Sequence, residues 1–425
     1  MLQLLGVVIF FVGLLVSIGL HEVGHMLPAK RFGVRVSEYF VGFGPTLWSR
    51  KGKETEYGVK AIPLGGYVKL VGMIPPEDAV KPVKVRGKLG QIIADARSAS
   101  VDEVQDGEDF RAFYHLTWWR KVIVMFGGPF VNLVLAIIMF TVVLVGVGLP
   151  TATTTISEVA TCVPASGQTD CTPSDPASPA SQAGLAEGDV ITAINGEAVT
   201  QWTDLTSVVA ANPGNEVVLT VERDGQSLQI PITPASYDRP NDGGTGTTTV
   251  GYLGVVPTSE VVPQEPLAGA QLAWTYTTTT LKVIVTLPVQ IYHAFMATIG
   301  QEERSGSSVM GIVGVGRISG DIVAADVEGY GLKEKTADML MLLGSLNVAL
   351  FAFNMIPLVP LDGGHIASAF WQGIKNGWAR VRRLPRPRPV DVARMMPLAY
   401  GVFGVLIVMG AVLILADIFA PVTVG

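Results

Sequence analysis

His21-Glu22-Val23-Gly24-His25 places two imidazoles four residues apart with a carboxylate beside the first. On a helix, positions four apart share a face, so both rings can hold one Zn²⁺ while the glutamate reaches a water at the metal. Zinc lowers the pKa of such a water toward about 7, and a neighbouring carboxylate can take its proton as it attacks a carbonyl. Catalytic zinc sites use three protein ligands, so one is missing. The run N-M-I-P-L-V-P-L-D-G-G-H at 354–365 offers Asp362. Pro357 and Pro360 break the helix there, and the adjacent glycines allow close backbone approach. His365 is the rival ligand.

The elements that must position these residues are apolar. The chain has 425 residues, of which 49% are hydrophobic and 16% charged. Soluble domains carry about 25% charged residues, so part of this chain faces lipid. A net charge of −6 argues against nucleic acid as the main partner, and two cysteines exclude both a disulfide-dense scaffold and a cysteine-rich metal site. Residues 4–20 carry no charge, and a helix continued through the polar cluster toward Lys30 and Arg31 can span about 30 Å of hydrocarbon. They read as a retained helix rather than a signal peptide, since no basic start or small-residue cleavage site accompanies them. The polar cluster at its end is expensive in a membrane unless it is paired or functional. A second span, 122–147, follows Trp118, Trp119, Arg120 and Lys121, an interfacial flank; a third covers 339–358 and a fourth 397–418. The stretch 272–299 is interrupted by Lys282, Pro288, His293 and four threonines, and reads as an amphipathic helix in the interface.

The chain thus divides into a first transmembrane helix with the H-E-x-x-H run (1–31) and a cytoplasmic loop (32–121) with a membrane-associated hairpin (54–73) and a polar insert (75–109). A second helix (122–148) leads to a β-rich domain (151–262) and an interfacial segment (263–335). A third helix with the L-D-G run (336–364), a basic segment (365–396) and a fourth helix (397–419) complete it. Segments 30–121 and 370–397 hold 16 and 7 of the 30 basic residues, and 150–335 the other 7. The positive-inside rule therefore puts the first two in the cytoplasm and the β-rich domain outside. The ends of the first and third helices, carrying His21, His25 and Asp362, then lie toward the same cytoplasmic face.

Within 151–262, the run A-G-L-A-E-G-D-V-I-T-A-I-N-G, inside 181–199, and a short helix near 202–210 resemble the PDZ domains of bacterial membrane and periplasmic proteases. A PDZ fold binds an extended peptide by adding a strand to its edge. Cys162 and Cys171 lie upstream in a Pro/Ser/Gly/Thr-rich stretch, where an oxidising compartment and a short loop suit a disulfide. Two free buried thiols are the alternative.

HEVGH, G-G-P-F-V-N at 127–132 and N-M-I-P-L-V-P-L-D-G-G at 354–364 resemble the site-2 protease family of intramembrane zinc metalloproteases. V-G-F-G-P at 41–45 and P-L-G-G-Y-V-K-L at 63–70, with one PDZ-like domain, are similar to its bacterial regulator-of-sigma-E branch, including actinobacterial members. The resemblance implies a polytopic α-helical membrane protein: a four-helix metalloprotease core with an inserted β-rich extracytoplasmic PDZ domain. It implies one Zn²⁺ per chain on His21, His25 and Asp362, Glu22 as catalytic base, and Asn132 and Asn354 as residues that hold substrate or stabilise the site. Its expected activity is hydrolysis of single-span membrane proteins, such as anti-sigma factors or signal-peptide remnants, in the inner (plasma) membrane. The hairpin at Gly65, Gly66 and Tyr67 is expected to pair with the unwound substrate, and the PDZ domain to screen its ectodomain or receive a new terminus. A non-catalytic scaffold is the opposing class. A transporter would show an internal repeat or polar residues along a midplane pathway, and neither is seen.

Overall fold

The computed structural model describes every residue except 81–86, 106, 165–170, 173, 241–246, 303, 305–307, 328 and 423–425, with only the backbone at Leu64 and Pro240. Parts of the polar insert and of the cysteine stretch therefore lie outside the described residues. The chain forms two compact units, Val147–Gln264 and the remainder.

The larger unit begins with α1 (Leu2–Arg31), β1 (Val36–Lys51), β2 (Glu56–Leu70), α2 (Lys88–Asp102) and α3 (Trp118–Gly146). Thirty residues of α1 extend about 45 Å, more than the hydrocarbon core requires. The expected hairpin within 54–73 is corrected: β2 pairs antiparallel with β1, and the turn lies at Gly52, whose N–H bonds to the Thr55 carbonyl. Gly66 faces Val41 across the ribbon instead of closing a turn. Register shifts fold the ribbon on itself, so the start of β1 meets the end of β2 and the end of β1 meets its start. The short-range signal at 54–73 hid this pairing because its partner strand starts eighteen residues upstream.

The smaller unit contains β3 (Leu149–Val159), α4 (Pro179–Gln182), β4 (Val190–Ile194), β5 (Glu197–Ala198), α5 (Trp202–Ala211), β6 (Val217–Arg223), β7 (Gln226–Ile232), β8 (Ala235–Pro240), β9 (Thr247–Tyr252) and β10 (Val255–Val262). Its main sheet runs β10-β3-β4-β6-β7 with β5 beside β4, while β8 and β9 form a separate ribbon. Asp224 and Gly225, both at positive φ, make the tight β6–β7 turn. Ile191, Leu205, Val217, Leu219 and Val221 are its buried core. Cys162 and Cys171 are bonded as a disulfide.

The larger unit resumes with α6 (Ala268–Thr298), α7 (Ile312–Ala324), α8 (Leu332–Asn354), α9 (Asp362–Val381) and α10 (Met396–Phe419). Two expectations change here. The third helix does not continue to 364: it ends at Asn354, and a new twenty-residue helix starts at Asp362 inside what reads as a basic loop. The proline-rich turn separates two helices rather than kinking one. Among the described residues five helices, not four, are long and apolar enough to cross a membrane, the fifth being α6. Its Ala273 is buried with Phe140 of α3 and Val348 of α8, and Tyr276 packs edge-on against Phe140. The small and threonine residues that dilute its hydropathy are those that let it approach its neighbours.

Candidate metal and active site

α1, α3 and the start of α9 converge on one point. His21 Nε2 and His25 Nε2 lie 3.2 Å apart, and Asp362 Oδ2 stands 3.4 Å from the first and 3.3 Å from the second. Four-coordinate zinc with bonds near 2.0–2.1 Å spaces its ligands about 3.3 Å apart, so the triangle has the edge length of a tetrahedral face. Asp362 Oδ2 is buried and has no hydrogen-bond partner, an arrangement that costs free energy unless a cation completes it. Among the described residues this is the one group of three or more His, Cys, Asp or Glu side chains close enough to hold a metal. The donor set therefore fits zinc.

Each imidazole is turned by a partner behind it. His25 Nδ1 donates to the Val124 carbonyl at 2.8 Å, which leaves Nε2 as the free lone pair. His21 Nδ1 lies 3.2 Å from the side-chain amide of Asn132, whose other amide atom has no partner. With zinc on Nε2, Nδ1 carries the proton, so the amide oxygen of Asn132 must be the atom that faces it. The resemblance implies that Asn132 holds substrate or stabilises the site; the structure buries it fully with its amide against His21, at the wall of the same cavity.

Small residues bring the helices this close. A methyl group on Gly24 would lie 2.3 Å from the Gly127 carbonyl, and one on Gly127 2.0 Å from the Gly24 carbonyl. At Gly128 a Cβ would sit 2.3 Å from His25 Nε2 and 2.8 Å from His21 Nε2, against both ligand nitrogens. These glycines were visible only as part of a motif. Their reason is the backbone contact between α1 and α3, which small-residue spacing in apolar helices can signal.

A cavity of about 440 Å³ opens on the triangle. It brings together His21, Glu22, His25, Gly65, Gly66, Tyr67, Asn132, Asn354 and Asp362, nine residues drawn from four separate stretches of sequence. Glu22 takes a backbone hydrogen bond from Val68 of β2, and a Cβ on Gly66 would come within 3.3 Å of its side chain. Asn354 spends one amide N–H on the Leu350 carbonyl at 3.0 Å. His365 lies one helical turn after Asp362 and also lines the cavity, but is not in the ligand triangle. Burial holds its pKa below the ordinary imidazole value.

Apolar helices around a buried His-His-Asp triangle, with a glutamate beside the first histidine, define a membrane-embedded zinc metallopeptidase. The chain belongs to peptidase family M50, whose profile matches residues 9–384. It is similar to the zinc metalloprotease Rip1 of Mycobacterium tuberculosis, 30% identical with 99% of each chain covered. The zinc metalloprotease RasP of Oceanobacillus iheyensis is 27% identical, covering 84% of this chain and 88% of its own. The regulator of sigma-W protease RasP of Bacillus subtilis is 26% identical, covering 84% and 87%. The protein is thus a multi-pass, zinc-dependent metalloprotease of the site-2 type.

Proposed function

We propose that this protein hydrolyses peptide bonds in or beside the membrane segment of single-span membrane proteins, with zinc on His21, His25 and Asp362. The observation that carries the reading is the His-His-Asp triangle at the wall of a cavity shared with Glu22 and β2. Zinc supplies Lewis acidity there, polarising a carbonyl and acidifying water. Glu22 accepts the proton of the attacking water and returns it to the departing amide nitrogen. Asn132 and the Val124 carbonyl hold the two rings in the required tautomer. A membrane helix hides its carbonyls in internal hydrogen bonds, so the substrate must unwind locally. The backbone at Gly65, Gly66 and Tyr67 borders the cavity and is suited to replace those bonds, with Asn354 left to hold the chain.

We assign the ligand end of α1 to the cytoplasmic side on the basic excess of 30–121 and 370–397, and the unit Val147–Gln264 to the outside. That unit is proposed as a PDZ domain. A groove of about 500 Å³ between α5 and the Tyr252–Val255 backbone, with Arg239 on its rim, suits an extended substrate terminus. Anti-sigma factors and signal-peptide remnants are the proposed substrates, in keeping with the sigma-W regulator named among the relatives. The test is cleavage of a model single-span substrate by reconstituted wild type and by Glu22→Gln, with zinc measured in both. Cleavage by the variant would remove the catalytic assignment and favour a scaffold.

A further inference from the structure

The first turn of α3 opens on a second cavity, of about 650 Å³, formed with α9 and the chain that follows. Trp118, Trp119, Asn376, Arg380 and Arg386 line it together with Thr117, and no acidic residue does. Thr117 Oγ1 is buried and has no hydrogen-bond partner. α3 is 29 residues long, and its first N–H groups have no partner within the helix, so they point a positive dipole end into the same space. Among the described residues, neither Arg380 nor Arg386 has an acidic partner. Asp391, the one acid in 370–397, is held by Arg97 at 3.0 Å and Arg394 at 2.9 Å. Two guanidiniums, an unpartnered hydroxyl and a helix start together make a receptor for an oxyanion.

What brings the anion is shown by the surface around the mouth. Phe370, Trp371, Ile374, Trp378 and Val381 form a stripe along α9 that is 48–80% exposed, and Arg382 lies 4.8 Å over the Trp378 ring. A helix with bulky aromatics on one side and cations at its end lies in a membrane interface. Trp118 packs on Gly373 at the level where α3, a membrane-length helix, begins. The mouth thus stands at headgroup depth. We propose that this pocket binds the phosphate headgroup of an anionic phospholipid, whose acyl chains lie along the α9 stripe. Headgroup capture there anchors the helix whose first residue is Asp362.

The test uses the full-length protein purified in detergent and native mass spectrometry with phosphatidylglycerol and phosphatidylcholine as probes. Wild type should retain phosphatidylglycerol in preference. Arg380→Gln with Arg386→Gln should reduce that preference about thirtyfold, at roughly 1 kcal/mol for each of the two basic residues near an anionic surface. Gly377→Glu should do the same without threatening the fold, because a Cβ there meets nothing within 4 Å. The control Arg50→Gln with Lys51→Gln, which removes equal charge from exposed positions of β1, should keep the preference. An unchanged preference in Gly377→Glu overturns the proposal, as does an equal loss in the control. Displacement of the lipid by inorganic phosphate as complete as by phosphatidylglycerol would show a free-phosphate site instead.

Discussion

In the unit Val147–Gln264, the fully buried side chains include Ile156, Ile191, Leu205, Val217, Leu219 and Val221, and the buried acid Asp189 is tied to Arg223 by contacts of 2.6 and 2.7 Å. In the helical unit, Ser17, His21, His25, Asn132 and Asn347 are buried, while Val8, Val12 and Val16 of the same α1 point outward at 50–55% exposure. Asn347 donates to Ser17 at 3.0 Å, a polar tie between α8 and α1 one turn from the ligands. One unit is held by apolar burial from water. The other leaves that role to lipid and joins its helices by small residues and polar ties, which frees its interior for chemistry. Polar substitutions should therefore divide cleanly: inside the helical unit they should change the reaction, and inside the β-rich unit they should change stability.

The largest expected effect is that of Glu22→Gln, a loss of substrate cleavage of about 10³-fold or more with zinc content unchanged, read by gel assay and metal analysis. A variant that also lost its zinc would blur the division. Gly128→Ala comes next. Its methyl group would crowd the ligand nitrogens of both histidines, so zinc should drop to background while the far-ultraviolet circular dichroism of the purified protein stays helical. If it kept a full equivalent of zinc, the triangle could not be the site.

Asn132→Leu removes the partner of His21 Nδ1 at nearly constant volume and should weaken zinc affinity about 10- to 100-fold, measured by chelator competition. Asn132→Asp, which keeps an acceptor for that N–H, should recover most of it. The smallest effect is expected from Asp189→Asn, which should leave zinc and active-site chemistry intact. Hydrogen exchange of β4 and β6 in the full-length protein should accelerate about tenfold. The hydrogen bonds from Arg223 hold the Asp189 carboxyl below its ordinary pKa. Its contribution to stability is thus complete above the unfolded value and disappears as pH falls through the lower native one. Exchange in wild type should approach that of the variant only in acid, below the ordinary carboxylate range.

The sequence made the ligand set readable because a period of four on a helix leaves a local trace, and because proline and glycine mark the break before Asp362. The β6–β7 hairpin was readable for a similar reason, with alternation and an Asp-Gly turn inside a few residues. What escaped detection depends on partners distant in sequence. β1 reads only as part of the loop 32–121, because its middle carries Gly42 and Gly44, which occupy positive φ within the strand. α9 was hidden because its apolar stripe is separated by basic and polar residues. The contact of Asn132 with His21 leaves no local trace, because only the packing of α3 on α1 brings the two together.

The order of the ligands along the chain has a consequence for synthesis. His21 and His25 emerge first, the whole of Val147–Gln264 follows, and Asp362 comes only near the end. A nascent chain therefore carries an open, two-ligand site until the helix bearing Asp362 has left the ribosome. The β-rich unit, with its own core, can fold during that interval. The protease thus becomes competent only after the part proposed to choose its substrates is complete, a built-in latency for an enzyme made inside the membrane that holds it.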